Sequence, residues 1–583
     1  MMRKRSWLFL IALAFYMVSA CEKIAVVEET VEIEELTVED DIAQKVEDML
    51  SNMTLEEKVG QLLMPDFRKW NGENVTKLNE EIATIIRDYH IGGIILFREN
   101  FESRQQTKQL ISGFQKEAEI PLLLAVDQEG GLVTRLPFFP RMPGNMAIAA
   151  TGEYELAKQV GFAIGSELNR LGIHINFGPV LDINNNPDNP VIGVRSFGDD
   201  VNTVSKMGTA YMEGLNLAGV AAVGKHFPGH GDVDLDSHFV LPSSNKTIEQ
   251  LNDLELKPFQ SLINKDIQGI MTAHITFDQI DQTTFSSTKD GLPIGVPATM
   301  SRKMMTDILR QEMQFRGVLF TDAMDMKAVS DHFHPVEASI KAIEAGVDVV
   351  LMPTDIEQVH KGLLEAVEVG RLTEERINES VTRILEMKQS FIISPTNDQE
   401  KLLSEVEAIK VEQEVAKKSI TLVHNNGILP IVENSDERIA LIAFNQTTLN
   451  RLENSVKPYH WRLKPVLLQK SSNQHGRLTH QQVKDLEGVS KAIIVTTSAT
   501  YEDRSTTGWQ IQTIKQVIDQ DIPIILVAAQ NPYDIVALDH VYAFIAQYDI
   551  GVPSFNVTGK VLFGKMEAKG QLPVQLPTKD VEN

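Results

Sequence analysis

The sequence predicts an α/β chain in which a (β/α)8 TIM barrel is followed by a smaller αβα sandwich domain. Three observations carry this reading. From about residue 42 to 390, short apolar runs alternate with longer amphipathic segments, the pattern of repeated βα units around a parallel sheet. Polar residues directly follow several of these runs, at the strand ends where barrel enzymes place their chemistry. A second series of apolar runs then appears beyond a helical connector.

The elements follow in chain order. Arg3-Lys4-Arg5, the apolar stretch Trp7 to Val18 and the small residues Ser19-Ala20 read as a secretion signal over residues 1–20. The apolar stretch is too short for a membrane span, which needs about 17–25 residues. Val18-Ser19-Ala20-Cys21 resembles a bacterial lipobox, which implies lipidation of Cys21 and a membrane-anchored, extracytoplasmic protein. Cys21 is the only Cys, so an internal disulfide framework is excluded. Residues 21–41 are strongly acidic without core periodicity and are expected to be a solvated tether.

The barrel is expected over residues 42–398. Its first helix starts at Thr54-Leu55-Glu56-Glu57, where Thr54 and Glu57 form a capping box. Expected strands are Ile94–Phe97, Leu122–Val126, Ile173–Phe177, Val220–Val223, Ile270–Ala273, Val318–Thr321 and Val347–Met352, with an eighth around Gln61–Met64. Amphipathic helices are expected at Glu153–Leu171, stopped by Gly172, and at Arg302–Met313. A helical connector at 399–418 leads to the sandwich at 419–583, with strands at Ile420–Val423, Ile439–Phe444, Ala492–Thr496, Ile522–Ala528 and Val541–Ala546.

Composition bounds the function. At 583 residues, 43% hydrophobic and 23% charged, the chain can bury more than one core. A net charge of −25, with no local basic patch, argues against nucleic acid as a partner.

Chemistry concentrates in Lys225 to His238, KHFPGHGDVDLDSH, with three His, three Asp and a Lys in one stretch. Pro228, Gly229 and Gly231 are expected to keep it out of regular structure. Asp236 and His238 are two apart, which in an extended stretch puts both side chains on one side. An Asp there can fix the tautomer of the ring and leave its other nitrogen free for proton transfer. Calcium fits poorly, since the D-x-D-x-D run has Ser237 where a tight-turn Gly belongs and Ser243 where a bidentate Glu belongs. Zinc through His226, His230 and His238 lacks the helical spacing of a two-His site, so no metal is expected.

Two further pieces lie at strand ends. Phe320-Thr321-Asp322 places a carboxylate where a barrel would expose a nucleophile. Asp127-Gln128-Glu129-Gly130-Gly131 offers a carboxylate to sugar hydroxyls and two glycines that let backbone approach a ligand. Arg135, Arg195 and Lys225 add donors for oxygen atoms.

Together these pieces resemble glycoside hydrolase family 3, in its β-N-acetylglucosaminidase branch. The loop matches the pattern K-H-F-P-G-H-G-x-x-x-x-D-S-H at every specified position. The likeness continues through DQEGG, NFGPVLD at Asn176–Asp182, RSFG at Arg195–Gly198, TDAMDM, TLVHNNGILP and NVTGKVLFG. It implies a retaining hydrolase without a cofactor, in which Asp322 is the nucleophile, His238 the general acid/base and Asp236 the residue that orients it. It also implies sugar contacts from Asp127, Arg135, Arg195, Lys225 and His226, with Arg68 at the pocket rim. The implied substrate is a GlcNAc-containing saccharide or muropeptide, cut at its non-reducing terminal GlcNAc by a chain expected to be a monomer. A neutral His base also leaves phosphate open as an acceptor. A β-glucosidase or β-xylosidase of the same family would lack the histidine loop. A sugar-binding lipoprotein would need neither nucleophile nor acid/base pair.

Overall fold

The computed structural model describes residues 38–393, 401–469, 478–498 and 501–577. The signal, Cys21 and nearly all of the tether lie outside these residues. Helix Val38–Asn52 opens the described chain, inside the stretch read as tether. A helix needs several residues fixed before it propagates, so its start precedes its first buried residue, Val46. Among the described residues no helix is long and apolar enough to cross a membrane.

Eight parallel strands form the first sheet system: β1 (Leu63–Met64), β2 (Gly93–Leu96), β3 (Leu123–Val126), β4 (Ile175–Asn176), β5 (Ala221–Phe227), β6 (Gly269–Thr272), β7 (Val318–Phe320) and β8 (Val350–Leu351). Strands β2 to β7 pair in sequence order, and β1 pairs with β8. Two joins close the ring. The Ile95 amide donates to the Pro65 carbonyl at 3.1 Å, and the Thr321 amide donates to the Val349 carbonyl at 3.0 Å. The result is the expected barrel, its interior filled by side chains such as Phe177 and Phe320, edge to face at 5.4 Å.

The helices follow from local chemistry. The Thr54 and Glu57 capping box is present, and Tyr154–Leu171 buries Leu156, Val160, Ile164, Leu168 and Leu171 along one face before Gly172 ends it at φ 83°. Lys303–Glu312 is wound as a π-helix. Two short hairpins interrupt the repeat, Lys69–Trp70 with Glu73–Asn74 and Thr284–Ser286 with Pro293–Gly295. Both lie in loops without an apolar alternation to announce them.

Helix Glu405–Ser419 leads into a six-stranded sheet of β9 (Thr421–Asn425), β10 (Ile439–Ala443), β11 (Leu463–Leu467), β12 (Lys491–Thr496), β13 (Ile524–Ala528) and β14 (Val541–Ala546). Its order is β9-β14-β13-β12-β10-β11, parallel except for β9. Alternate residues feed two cores. Ala440, Ile442, Ile494 and Leu526 face one side with helix Trp509–Ile518, while Ile439, Leu441, Ile493 and Val527 face the other with helices Gln446–Val456 and Val552–Leu562. Met146, Ala147, Ala150 and Val194 of the barrel complete the first of these cores.

Candidate active site

A cavity of about 490 Å³ opens beyond the carboxyl ends of the barrel strands. Arg68, Asp127, Arg135, Arg195, Lys225, His226, His238 and Asp322 all line it. Asp236 is brought in through His238. Residues spread over 254 positions of sequence, from 68 to 322, thus meet at one mouth because they end or follow five strands of the barrel, β1, β3, β4, β5 and β7.

Asp322 follows β7. Its backbone amide donates to Thr272 Oγ1 at 3.3 Å, and one carboxylate oxygen accepts the Ala323 amide at 2.7 Å. Burial pushes this carboxyl up, yet the His226 and His274 rings and the Ala323 amide together hold it below the usual carboxylate value. It is therefore an anion in a buried place.

Across the cavity lies a charge network. Lys225 Nζ sits 2.6 Å from Asp127 Oδ1 and 2.7 Å from Glu129 Oε1, with its side chain 2% exposed. Arg195 grips Glu129 with two bonds of 2.8 and 3.0 Å. Burial would raise the Glu129 carboxyl, but Arg195 and then Lys225 bring it far down. Arg135 stands 3.8 Å from Asp127. Arg68 stacks on the Phe97 ring at 3.6 Å and pairs with Asp66. Buried charges are tolerated only when paired and hydrogen-bonded, and here each carboxylate has a cation.

The histidine stretch is more ordered than the sequence implies. Lys225, His226 and Phe227 are not loop but the end of β5, where the register against β6 shifts between Lys225 and Phe227. Such a bulge re-aims side chains, and both Lys225 and His226 reach the cavity. The arm from Phe227 to Leu235, although free of regular structure beyond Phe227, is held in place. Phe227 is buried on Phe259, and the Asp182 carboxylate accepts the His226 amide at 3.2 Å, the His230 amide at 2.7 Å and the His226 ring at 2.7 Å. Only Asp234 and Leu235 in this stretch are exposed.

The dyad is closed by a turn, not by extended backbone. Asp236 Oδ1 accepts both the His238 amide and His238 Nδ1 at 2.8 Å, and the Phe239 and Val240 amides donate to the Asp236 carbonyl. A short acidic side chain bonding the amide two residues on is the local reason. The bond to Asp236 raises the His238 pKa against the opposing effect of burial, and the Asp322 charge adds to the rise. His238 remains 56% exposed.

Sequence reasoning gave three contributors no role. Glu129 and Asp182 were visible only as parts of motifs and His230 only as a rejected zinc ligand, while His274 follows an expected strand, where the polar residues of a barrel converge. His230 is buried neutral at a pKa of about 4 and bonds Ser237 Oγ through Nε2 at 2.9 Å. His274 bonds Thr299 Oγ1 at 2.8 Å and the Ala323 carbonyl at 3.1 Å, fixing the turn that carries Asp322. Conversely, Gly130 and Gly131 do not serve ligand approach: a Cβ on either would strike Pro143 O at 2.5 Å or Gly144 Cα at 2.7 Å. They let two protein loops touch.

The Glycosyl hydrolase family 3 N terminal domain matches residues 54–387, and the family's C-terminal domain matches residues 420–583. Beta-hexosaminidase A of Pseudoalteromonas piscicida is 37% identical over 439 residues, covering 70% of this chain and 73% of that protein. A beta-hexosaminidase of Haemophilus influenzae is 35% identical over 304 residues, 51% of this chain and 81% of its own length. Among solved structures, a glycoside hydrolase family 3 beta-N-acetylglucosaminidase from Paenibacillus sp. superposes with a TM-score of 0.77 at 33% identity, covering 90% of this chain and 99% of that one.

Proposed function

The chain belongs to glycosyl hydrolase family 3, and from that premise we propose that it is an exo-acting β-N-acetylglucosaminidase working by retention through Asp322 and the Asp236–His238 dyad. The relatives named beta-hexosaminidase and beta-N-acetylglucosaminidase support the activity. The observation that carries the mechanism is one cavity holding a buried anionic Asp322 and a His238 whose raised pKa comes from a bonded carboxylate.

In the first step the free carboxylate oxygen of Asp322 bonds the anomeric carbon. The glycosidic C–O bond breaks as His238 gives its Nε2 proton to the leaving oxygen. Asp236 holds Nδ1 and balances the charge on the ring. In the second step water attacks the same carbon, His238 takes its proton, and the Asp322 ester bond breaks. Two inversions give retention. Asp127, Lys225, Arg195, Arg135 and His226 bind the sugar hydroxyls, and Arg68 closes the rim.

The substrate is a cell-wall fragment ending in GlcNAc, met outside the cytoplasm by an enzyme tethered through lipidated Cys21. A Cys21→Ala variant is expected to leave the membrane fraction; full retention there would refute the anchor.

The activity test pairs an aryl N-acetyl-β-glucosaminide with the matching β-glucoside. Wild type is expected to prefer the former. Asp322→Asn is expected to lose roughly 10⁴-fold or more, and His238→Ala about 10²–10⁴-fold. Activity confined to the glucoside, or untouched by both changes, would sink the proposal.

A further inference from the structure

Asn189 lies in the loop after β4, does not line the cavity, and uses all four hydrogen-bonding positions of its side chain. Nδ2 donates to the carbonyls of His230 at 2.8 Å and Val233 at 2.9 Å. Oδ1 accepts the amides of Val191 at 2.9 Å and Ile192 at 2.7 Å. The residue is 2% exposed. Asn186 adds a bond from Nδ2 to the Asp232 carbonyl at 3.1 Å, and a Cβ on Gly231 would lie 1.7 Å from the Ile183 carbonyl. Residues 230–233 are thus laid along the segment 183–192 with no room between.

That segment is also gripped by the sandwich domain. The Arg504 guanidinium donates to the carbonyls of Pro187 and of Asn189, the latter at 3.3 Å. Asn184 Nδ2 donates to the Tyr533 hydroxyl at 3.1 Å. A continuous set of bonds therefore runs from Arg504 through Asn189 to His230. From there the His230 ring bonds Ser237, which sits between Asp236 and His238 in the chain.

We propose that Asn189, braced by Arg504, is a positioning residue for the acid/base: the sandwich domain sets the place of His238 through the loop after β4. The proposal rests on the reading of His238 as acid/base. Neither residue touches the cavity, so both act only through where they hold the arm. A displacement of about 1 Å in a proton donor can cost on the order of 10²-fold in rate.

The test uses leaving groups that differ in their need for a proton. Asn189→Asp keeps the size and the accepting oxygen but replaces both donations with a carboxylate facing two carbonyls. On an N-acetyl-β-glucosaminide with a poor leaving group, its kcat/KM is expected to fall about 10–100-fold. On the 2,4-dinitrophenyl glycoside, whose departure needs no acid, kcat/KM should stay within about 3-fold. Azide, which needs no general base, should raise kcat on the activated substrate. Arg504→Ala is expected to show the same pattern more weakly, and it decides alone if Asn189→Asp does not fold. His238→Ala is the reference. If His238→Ala spares the activated substrate while the Asn189 and Arg504 variants lose equally on both, the positioning role is overturned. If His238→Ala itself loses equally on both, the acid/base reading falls and this proposal with it.

Discussion

Glu129 shows how the charged half of the cavity is maintained. Its carboxylate is shared by Arg195 and Lys225, both nearly closed off from water, so its loss leaves two buried cations short of one charge. Glu129→Gln is expected to destabilise the fold by about 3–5 kcal/mol, read as a lower melting temperature, and to raise KM more than it lowers kcat. The dyad gives a pH prediction. In the proposed role of acid His238 must carry its proton, and its bond to Asp236 holds its pKa above the ordinary 6.5. The rate is therefore present below that raised pKa and is lost as pH rises through it. Asp236→Asn removes the charge, so the alkaline limb of kcat/KM should move toward lower pH; an unmoved limb would contradict the assignment. Asp322, Asp236 and His238 were legible because strand-end position and close spacing mark them. Glu129 and Asp182 were not, since their partners lie 66 and 44 residues away and only the fold brings them together.

Lys388 illustrates the cost an element can carry. It ends the apolar face of helix Glu374–Lys388, fully buried, and its Nζ donates to Gln61. Burial brings its pKa down to about 7. Between that value and the ordinary 10.5 the unfolded chain binds the proton and the folded one does not, so stability rises with pH across this window. Below about 7 the folded state holds the charge and the penalty is complete. Lys388→Met is therefore expected to raise the melting temperature by a few degrees at pH 6 and by less at pH 9.5. Thermal scans at the two pH values check it. At this scale the apolar runs of the barrel were readable within a few residues. β11 was not, because an edge strand holding Pro465 and half-buried side chains lacks the apolar run that marks a central strand. The extension of β5 through Phe227 was hidden by polar residues that serve the cavity.

At the scale of the molecule, the barrel and the sandwich were both legible from the βα alternation and its resumption after the connector. Their joint core was not, because Met146, Ala147, Ala150 and Val194 sit in segments whose apolar residues look sufficient for the barrel alone. A fragment ending at residue 393 would expose this patch and lose the brace from Arg504. It is expected to elute as aggregate in size-exclusion chromatography and to lack activity, whereas a soluble active fragment would show the barrel to be self-sufficient. The arm that bears His238 is divided: residues 230–233 are tied down, while the side chains of Leu235, Phe239 and Val240 stand in solvent around the dyad. Those three can be exchanged by mutation without disturbing a single bond among Asp127, Glu129, Arg195 and Lys225. Among descendants of this gene, taste for the departing group should consequently drift quickly, while taste for the sugar that is kept stays as it was.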